Sequence, residues 1–245
     1  MTSLDIRVSA DAPALADTIA AALVDEIAGA VAARGRADVV LTGGGIGIAC
    51  LGAVRDQPAA AAIDWAAVHL WWGDERYLPD GDPERNVTQA REALLDALPV
   101  PEANVHAMPA RALEPEDAAD GYADELARCA PSGASVPAFD VVMLGIGPEG
   151  HIASLFPHSN ALMSGRAVVA VTDSPKPPPV RISLTLPSIR AGRQVWIMAA
   201  GESKAEAVAR CADPSTDPRD LPAAGARGRE ATLLWVDNEA AALLG

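Results

Sequence analysis

Short apolar runs rich in β-branched residues alternate with alanine-rich stretches along this chain, and this alternation constrains its fold most strongly. The runs that predict strands are IRVSA, ADVVL, AAVHLWW, FDVVMLGIG, AVVAVT, RISLTL, QVWIMAAG and ATLLWV. Strands separated by helices require crossover connections. The pattern therefore predicts an α/β fold: a mainly parallel, twisted, doubly wound sheet of Rossmann-like type with helices on both faces.

The first helix carries its own start and stop signals. Asp11 is a predicted N-cap, Pro13 falls in the first turn, and Gly35 ends the helix. Further along, no internal repeat or shift in composition marks a linker, so residues 1–245 are predicted to form a single domain.

The charge and the apolar pattern exclude several classes of function. The formal net charge is −14, whereas nucleic-acid binding depends on clusters of Lys and Arg, so no nucleic-acid partner is expected. The N-terminal segment lacks the basic and apolar regions of a signal peptide, and no apolar run is long enough to span a membrane. These features predict a cytoplasmic protein without a membrane partner.

The three cysteines are Cys50, Cys129 and Cys211. They lie far apart in the sequence, are odd in number and show no C-x-x-C spacing, so their spacing suggests neither a zinc site nor a disulfide framework. Single cysteines in alanine-rich segments are typical of small core residues.

Four predicted strands end in a glycine-rich or polar segment. The segments are Thr42-Gly43-Gly44-Gly45, Gly73-Asp74-Glu75-Arg76, Pro148-Glu149-Gly150-His151 and Gly201-Glu202-Ser203-Lys204. Ligands of open α/β sheets bind beyond the carboxyl ends of the strands. We therefore expect the four segments to converge on one site.

Two of these segments predict an anion site. In TGGG, which leads into a predicted helix, backbone amides and the helix N-terminus would attract an anion; a tight turn is the alternative. Lys204, one of two lysines, lies in a predicted first helical turn, where a bound phosphate would offset its unfavourable interaction with the helix dipole. An exposed lysine without a ligand is the alternative. Arg181, at the start of a predicted strand, is a candidate second phosphate ligand.

The polar segment that follows AAVHLWW leaves two interpretations open. Asp74, Glu75 and Arg76 belong either to a solvated loop whose charges neutralise one another or to the site. Asn86, at the end of the segment, either contacts a ligand or begins a helix through a capping box with Gln89.

His151 is the candidate general base. It follows flexible glycines at the end of a strand, where a neutral imidazole can take a proton from water near physiological pH. His69 falls inside a predicted strand, and His106 and His158 fall in loops without evident partners. No second histidine or carboxylate has metal-ligand spacing to His151, so we expect neither a metal nor an organic cofactor.

Five segments together resemble the bacterial 6-phosphogluconolactonases, a family within a superfamily that also includes glucosamine-6-phosphate deaminases. They are TGGG, GDERYLP with ERN, GIGPEGHIASLFP, VRISLTLP and GESKAEAV, and they span nearly the whole chain. The resemblance implies hydrolysis of 6-phospho-D-glucono-1,5-lactone to 6-phosphogluconate in the oxidative pentose phosphate pathway. SLFP and GDER favour the lactonase over the deaminase.

The resemblance also implies roles for residues. His151 would activate water against the lactone carbonyl, Arg76 would hold the substrate or the developing oxyanion, and Asp74 would position groups nearby. The implied substrate- and phosphate-binding residues are Thr42, Gly43, Gly44, Gly45, Asn86, Arg181 and Lys204.

The chain departs from its relatives at two places. Glu149 stands where many relatives have Asp, and Gly45-Ile46-Gly47 stand where relatives often have Ser-Thr-Pro. The second departure leaves Thr42 and backbone amides to contact the phosphate.

Two other functions remain open. The nearest is a sugar-phosphate isomerase or deaminase of the same superfamily. The other is a non-catalytic sugar-phosphate sensor, a class normally attached to a DNA-binding helix-turn-helix, which this acidic, strand-first chain does not predict. In each case the partner is a small sugar phosphate, and the chain is expected to be a monomer or a small homo-oligomer.

Overall fold

The structure is a computed structural model and describes residues 3–245. The strands in this range are β1 (Leu4–Ser9), β2 (Ala37–Leu41), β3 (Val68–Trp72), β4 (Asp74–Arg76), β5 (Val141–Gly145), β6 (Val168–Val171), β7 (Arg181–Leu184), β8 (Gln194–Ala199) and β9 (Ala231–Asp237). The α-helices are α1 (Ala12–Arg34), α2 (Gly45–Asp56), α3 (Asn86–Ala93), α4 (Pro115–Cys129), α5 (Leu186–Arg190) and α6 (Ala205–Ala212).

The strands form two sheets. The central sheet has the order β1-β9-β8-β5-β2-β3, and every neighbouring pair in it is parallel. A smaller antiparallel sheet has the order β4-β7-β6. The predicted fold class, an α/β fold with a mainly parallel sheet, is confirmed, and the small antiparallel sheet is an addition to it.

The strand order reverses direction in the middle of the central sheet. The connections β1–α1–β2 and β2–α2–β3 run towards one edge, whereas β5 to β8 and β8–α6–β9 run back towards the other. Right-handed crossovers therefore place α1 and α2 on one face and α6 on the opposite face. The connections that leave the neighbouring strands β2 and β5 diverge, which opens a crevice at their carboxyl ends.

Helix α1 begins and ends at the predicted residues. Oδ1 of Asp11 accepts a hydrogen bond from the amide of Ala14 at 2.9 Å, and Gly35 adopts a left-handed conformation with φ of 72° at the C-terminal end. One side chain thus satisfies an amide that the helix itself cannot pair, and a residue without Cβ ends the helix without strain.

The polar segment after β3 is not a solvated loop. Asp74–Arg76 form β4, and the buried carboxylate of Glu75 accepts hydrogen bonds from the amides of Asn86 at 2.7 Å and Val87 at 3.0 Å. The interpretation of Asn86 and Gln89 as a capping box is therefore wrong, because Glu75 caps the first turn of α3 from the preceding strand.

The prediction that His106 lacks a partner is also wrong. Its ring is buried and stacks on Trp71 with a centroid distance of 3.7 Å, and its Nε2 lies 2.9 Å from Nδ1 of His69 in β3. His158 is exposed, with Nε2 3.4 Å from Oδ1 of Asp220. A loop position in the sequence says nothing about the long-range packing that buries one of these histidines and exposes the other.

Two of the three cysteines are core residues, as their alanine-rich context predicts, and Cys129 is only partly so. Cys50 and Cys211 are buried, Cys129 is half-buried, and all three are free thiols. Within residues 3–245, no helix is both long enough and apolar enough to cross a membrane.

Candidate active site

The carboxyl ends of β2, β5 and β8, together with the small sheet, surround a pocket of about 460 Å³. All ten predicted site residues line this pocket: Thr42, Gly43, Gly44, Gly45, Asp74, Arg76, Asn86, His151, Arg181 and Lys204. Segments that are up to about 160 residues apart meet here because parallel strands present their carboxyl ends at one edge.

The glycine segment forms the start of helix α2. Gly44 has φ of 82°, a conformation that suits glycine, and no side chain caps the first turn of the helix. The first amides of a helix have no intrahelical acceptor, and the positive end of the helix dipole lies beside them. Because Gly45 and Ile46 line the pocket, these amides are available to an anion.

Asn86 lies between the glycine segment and the small sheet. Its Nδ2 donates to the carbonyl of Asp74 at 2.8 Å and lies 3.3 Å from Oδ1 of the same residue. A Cβ on Gly43 would lie 2.0 Å from Oδ1 of Asn86, so only glycine permits this approach. Asn86 therefore ties the start of α3 to the small sheet and packs closely against Gly43.

His151 is fixed by the turn that precedes it. The amide of Gly147 donates to the carbonyl of His151 at 2.9 Å, and Gly150 has φ of 88° within the turn. The imidazole lies directly over the α-carbon of Gly147 and stacks on Phe156 with a centroid distance of 4.7 Å. Its Nδ1 is buried, so Nε2 is the nitrogen available to the pocket.

Glu149 lies beside the imidazole. Its Oε1 is 3.0 Å from Nδ1 of His151, close enough for an ion pair, although Nδ1 lacks a well-aligned hydrogen bond. Burial lowers the pKa of His151 below its usual 6.5, which outweighs the opposing effect of Glu149. The imidazole is therefore neutral at neutral pH and can accept a proton.

Lys176 is a charged residue of the pocket for which the sequence predicted no role. Its Nζ lies 2.9 Å from Oε1 and 3.0 Å from Oε2 of Glu149. Burial would raise the pKa of Glu149, but the hydrogen bond from Lys176 and other neighbours, including His151, lower it to about 2. The signal available in the sequence was that Lys176 is one of two lysines and lies five residues before Arg181.

Arg181 holds the loop that carries Lys176. Its guanidinium donates to the carbonyls of Lys176 at 3.2 Å, Pro177 at 3.1 Å and Pro178 at 3.2 Å. Its Nη1 lies 3.9 Å from Oδ2 of Asp74, and both residues line the pocket. Most of its donors are thus committed to the backbone, and Nη1 is the part left for a ligand.

Asp74 connects β4 to the segment that follows the histidine. Its Oδ2 accepts a hydrogen bond from Oγ of the buried Ser154 at 2.6 Å. Ala153, next to Ser154, lines the pocket with φ of 47°, in the left-handed region that non-glycine residues seldom adopt. Such strain is typical of functional sites, where surrounding contacts over-determine the backbone.

Two further cations lie at the pocket. Nη1 of Arg76 donates to the carbonyl of Glu84 at 3.1 Å, and Lys204 directly precedes α6. Burial and the neighbouring charge of Lys176 both lower the pKa of Lys204. An anion in the pocket would relieve the repulsion between the two lysines, so the site electrostatically favours an anionic ligand.

Comparison with known proteins identifies the family. Residues 10–235 match the sequence profile of the family described as glucosamine-6-phosphate isomerases/6-phosphogluconolactonase. The chain is 52% identical over 241 residues to a 6-phosphogluconolactonase of Streptomyces coelicolor, covering 96% of this chain and 92% of that protein. It is 51% identical over 247 residues to one of Mycobacterium tuberculosis, covering 99% of each.

The fold is shared with solved structures of such proteins. A 6-phosphogluconolactonase from Thermotoga maritima superimposes with a TM-score of 0.84 at 25% identity, over 96% of this chain and all of that one. One from Trypanosoma brucei superimposes with a TM-score of 0.81 at 26% identity, over the whole of both chains. This chain belongs to the glucosamine-6-phosphate isomerase/6-phosphogluconolactonase family.

Proposed function

We propose that this protein hydrolyses 6-phospho-D-glucono-1,5-lactone to 6-phospho-D-gluconate, the lactonase step of the oxidative pentose phosphate pathway. The observation that carries the proposal is that one pocket contains both a base and an anion site. The base is the neutral His151, and the anion site consists of the uncapped N-terminus of α2 and Lys204. These features match a substrate with an ester carbonyl at one end and a phosphate at the other. The names of relatives about 50% identical over nearly the full chain support it.

In this proposal His151 acts as the general base. Its Nε2 takes a proton from water, the oxygen attacks the lactone carbonyl, and the negative charge on the carbonyl oxygen is stabilised by Arg76. When the intermediate collapses, the bond from carbonyl carbon to ring oxygen breaks, and the proton on His151 goes to the leaving ring oxygen. Glu149, kept ionised by Lys176, stabilises the transient imidazolium.

The phosphate end fixes the ring against the base. The amides at the start of α2, the hydroxyl of Thr42, Nη1 of Arg181 and Nζ of Lys204 are the proposed phosphate ligands. Asn86 and Asp74 keep the walls of the pocket together. Holding the substrate in this way lowers the entropic cost of bringing the base, the water and the lactone carbonyl together.

We further propose that the chain acts as one domain, because both sheets contribute residues to the same pocket. The proposed setting is the cytoplasm, with a sugar phosphate as the partner, no nucleic acid and a monomeric or small homo-oligomeric state. The net charge of −14 supports the exclusion of nucleic acid.

Two assays on the purified protein test the proposed reaction. Freshly generated 6-phosphogluconolactone should disappear much faster than by spontaneous hydrolysis, and glucosamine 6-phosphate should release no ammonia. Ammonia release without lactonase activity would instead assign the chain to the deaminase branch, and binding of sugar phosphates without either reaction would make it a sensor.

Lys204→Met is expected to weaken the binding of 6-phosphogluconate by roughly tenfold. A charge-assisted hydrogen bond contributes about 1.5–3 kcal/mol, and the partial exposure of Lys204 favours the low end of this range. Titration calorimetry gives the dissociation constant. Arg210→Met serves as the control, because Arg210 is a cation in α6, the helix that follows Lys204, and does not line the pocket. Equal affinity in the Lys204 variant and the unmodified protein would contradict the phosphate assignment.

Hydrolysis is expected to need no metal ion, because a base and positioned cations suffice for the attack of water on an ester. Exhaustive chelation followed by gel filtration should leave kcat unchanged. A loss of activity that a divalent ion restores would refute this expectation.

A further inference from the structure

A second cluster of reactive side chains lies outside the candidate active site. It consists of His106, Glu125 and Cys129, and one ligand atom from each lies within 4.8 Å of the other two. None of the three lines the active-site pocket. Their imidazole nitrogen, carboxylate oxygen and sulfur are the three kinds of atom that bind Zn²⁺ in proteins.

Two of these side chains are paired by the helix that carries them. Glu125 and Cys129 lie four residues apart in the last turns of α4, which places them on the same face of the helix. Nδ1 of His106 lies 2.8 Å from Oε1 of Glu125. In a tetrahedral site with bonds of about 2.0–2.3 Å, the ligand atoms lie about 3.3–3.8 Å apart, so small side-chain rotations complete the geometry.

The third ligand, His106, is held rigidly. Its ring stacks on Trp71 with an interplanar angle of 4°, its amide donates to the carbonyl of Leu70 at 2.8 Å, and its carbonyl accepts from Oη of Tyr122 at 3.2 Å. A fixed ring loses little conformational freedom when it binds a metal.

Neighbouring residues support metal binding in the way that outer-shell partners do. With a metal on Nδ1, the ring of His106 carries its proton on Nε2 and donates it to Nδ1 of His69, 2.9 Å away. Arg128 pairs with Oε2 of Glu125, which leaves Oε1 for a metal.

The charge of the cluster also suits a divalent ion. A thiolate on Cys129 and the carboxylate of Glu125 together match two positive charges. Arg36 lies beside Cys129, and its own charge is paired in a two-point contact with Asp38 at 2.7 Å. These two anionic ligands offset the charge of a divalent ion, and Arg128 contacts the second oxygen of the same carboxylate.

We infer that His106, Glu125 and Cys129 form a zinc site that ties the C-terminal end of α4 to the edge of the central sheet. This inference does not rest on the proposed lactonase activity. The ligands come from a loop and from a helix about 20 residues later, so no short motif in the sequence marks them. Because the site lies outside the active-site pocket, the ion would stabilise the fold and leave catalysis unchanged.

The test is a titration of the metal-stripped, full-length protein with Co²⁺ and then Zn²⁺. We expect one Co²⁺ per chain, a thiolate-to-cobalt charge-transfer band in the near ultraviolet, and loss of the band when Zn²⁺ displaces the cobalt. Cys129→Ser should lose the band, and its affinity for Zn²⁺ should fall by more than about tenfold. Zinc should raise the unfolding temperature of the unmodified protein but not of this variant.

Matched variants separate this site from other places where a metal could bind. Asp124→Asn, an exposed acid adjacent to Glu125, should bind zinc as the unmodified protein does, whereas Glu125→Gln should not. His151→Asn should also retain the ion. Cobalt binding without a charge-transfer band, full affinity in Cys129→Ser, or binding that His151→Asn abolishes would each overturn the inference. Cys129 is half-buried at the helix end, so its serine variant tests the site without emptying the core.

Discussion

Replacement of His151 by asparagine is expected to lower kcat for lactone hydrolysis by about 10²–10⁴-fold, the contribution of a positioned general base. Asparagine keeps a polar side chain at the position but cannot take a proton from water. The affinity for 6-phosphogluconate should change far less, because the proposed phosphate ligands belong to other segments. Steady-state kinetics on fresh lactone and titration calorimetry with the product measure the two quantities.

His158→Asn is the matched control for this substitution. His158 is exposed and has φ of 59°, a left-handed conformation that asparagine adopts more readily than most residues, so the fold should tolerate the change. Its activity should equal that of the unmodified protein. A His151→Asn variant that binds the product normally and retains more than a third of the native rate would contradict the assignment of the base.

The pH profile gives a second measure of the same base. Burial lowers the pKa of His151, so the unmodified enzyme should keep its activity to a pH below the usual 6.5 of histidine. Activity should then fall as the pH drops through that pKa, because the protonated ring cannot accept a proton. His151→Asn should lack this acid limb.

The convergence of the site could be predicted from the sequence because it follows from topology alone. Each glycine-rich or polar segment follows a recognisable apolar strand, and parallel strands in one sheet bring such segments to a common edge. Thr42, Lys204 and His151 therefore line one pocket although they lie far apart in the chain. Local signals also sufficed for α1, whose cap at Asp11 involves an amide only three residues away.

The contacts that depend on long-range pairing could not be predicted. The sequence left open whether Glu75 lies in a solvated loop or at the site. In the structure β4 pairs with β7, more than 100 residues later, and Glu75 is buried. Lys176 lies in a proline-rich segment without hydrophobic periodicity. Its contact with Glu149 joins residues 27 positions apart in the sequence, and no local pattern encodes it.

The structure shows what the longer side chain of Glu149 contacts. Its side chain is one methylene longer than that of the aspartate that the family resemblance predicts at this position. In this structure the carboxylate contacts both His151 and Lys176, so it links the proposed base to the loop that Arg181 holds. The glutamate at this position could be noted from the sequence, but its contact with Lys176 could not.

Gly147→Ala is expected to lower kcat by about 10²-fold while leaving the fold and the phosphate contacts in place. A Cβ at this position would lie 1.9 Å from Nδ1 and 2.1 Å from Cε1 of His151, whereas ordinary contacts begin at about 3.4 Å. The ring must therefore move by more than about 1 Å, and a misplacement of that size can cost about 10²-fold in rate. Gly147 does not have a positive φ, so alanine acts here through the clash and not through backbone strain.

Gly29→Ala is the control. No atom lies within 4 Å of the new methyl group in α1, so this change should raise the free energy of unfolding by about 0.5–1 kcal/mol and leave activity unchanged. Product affinity and unfolding temperature of both variants separate misplacement of the ring from general damage. If Gly147→Ala kept the native kcat, catalysis would not depend on the imidazole of His151 lying over the α-carbon of Gly147.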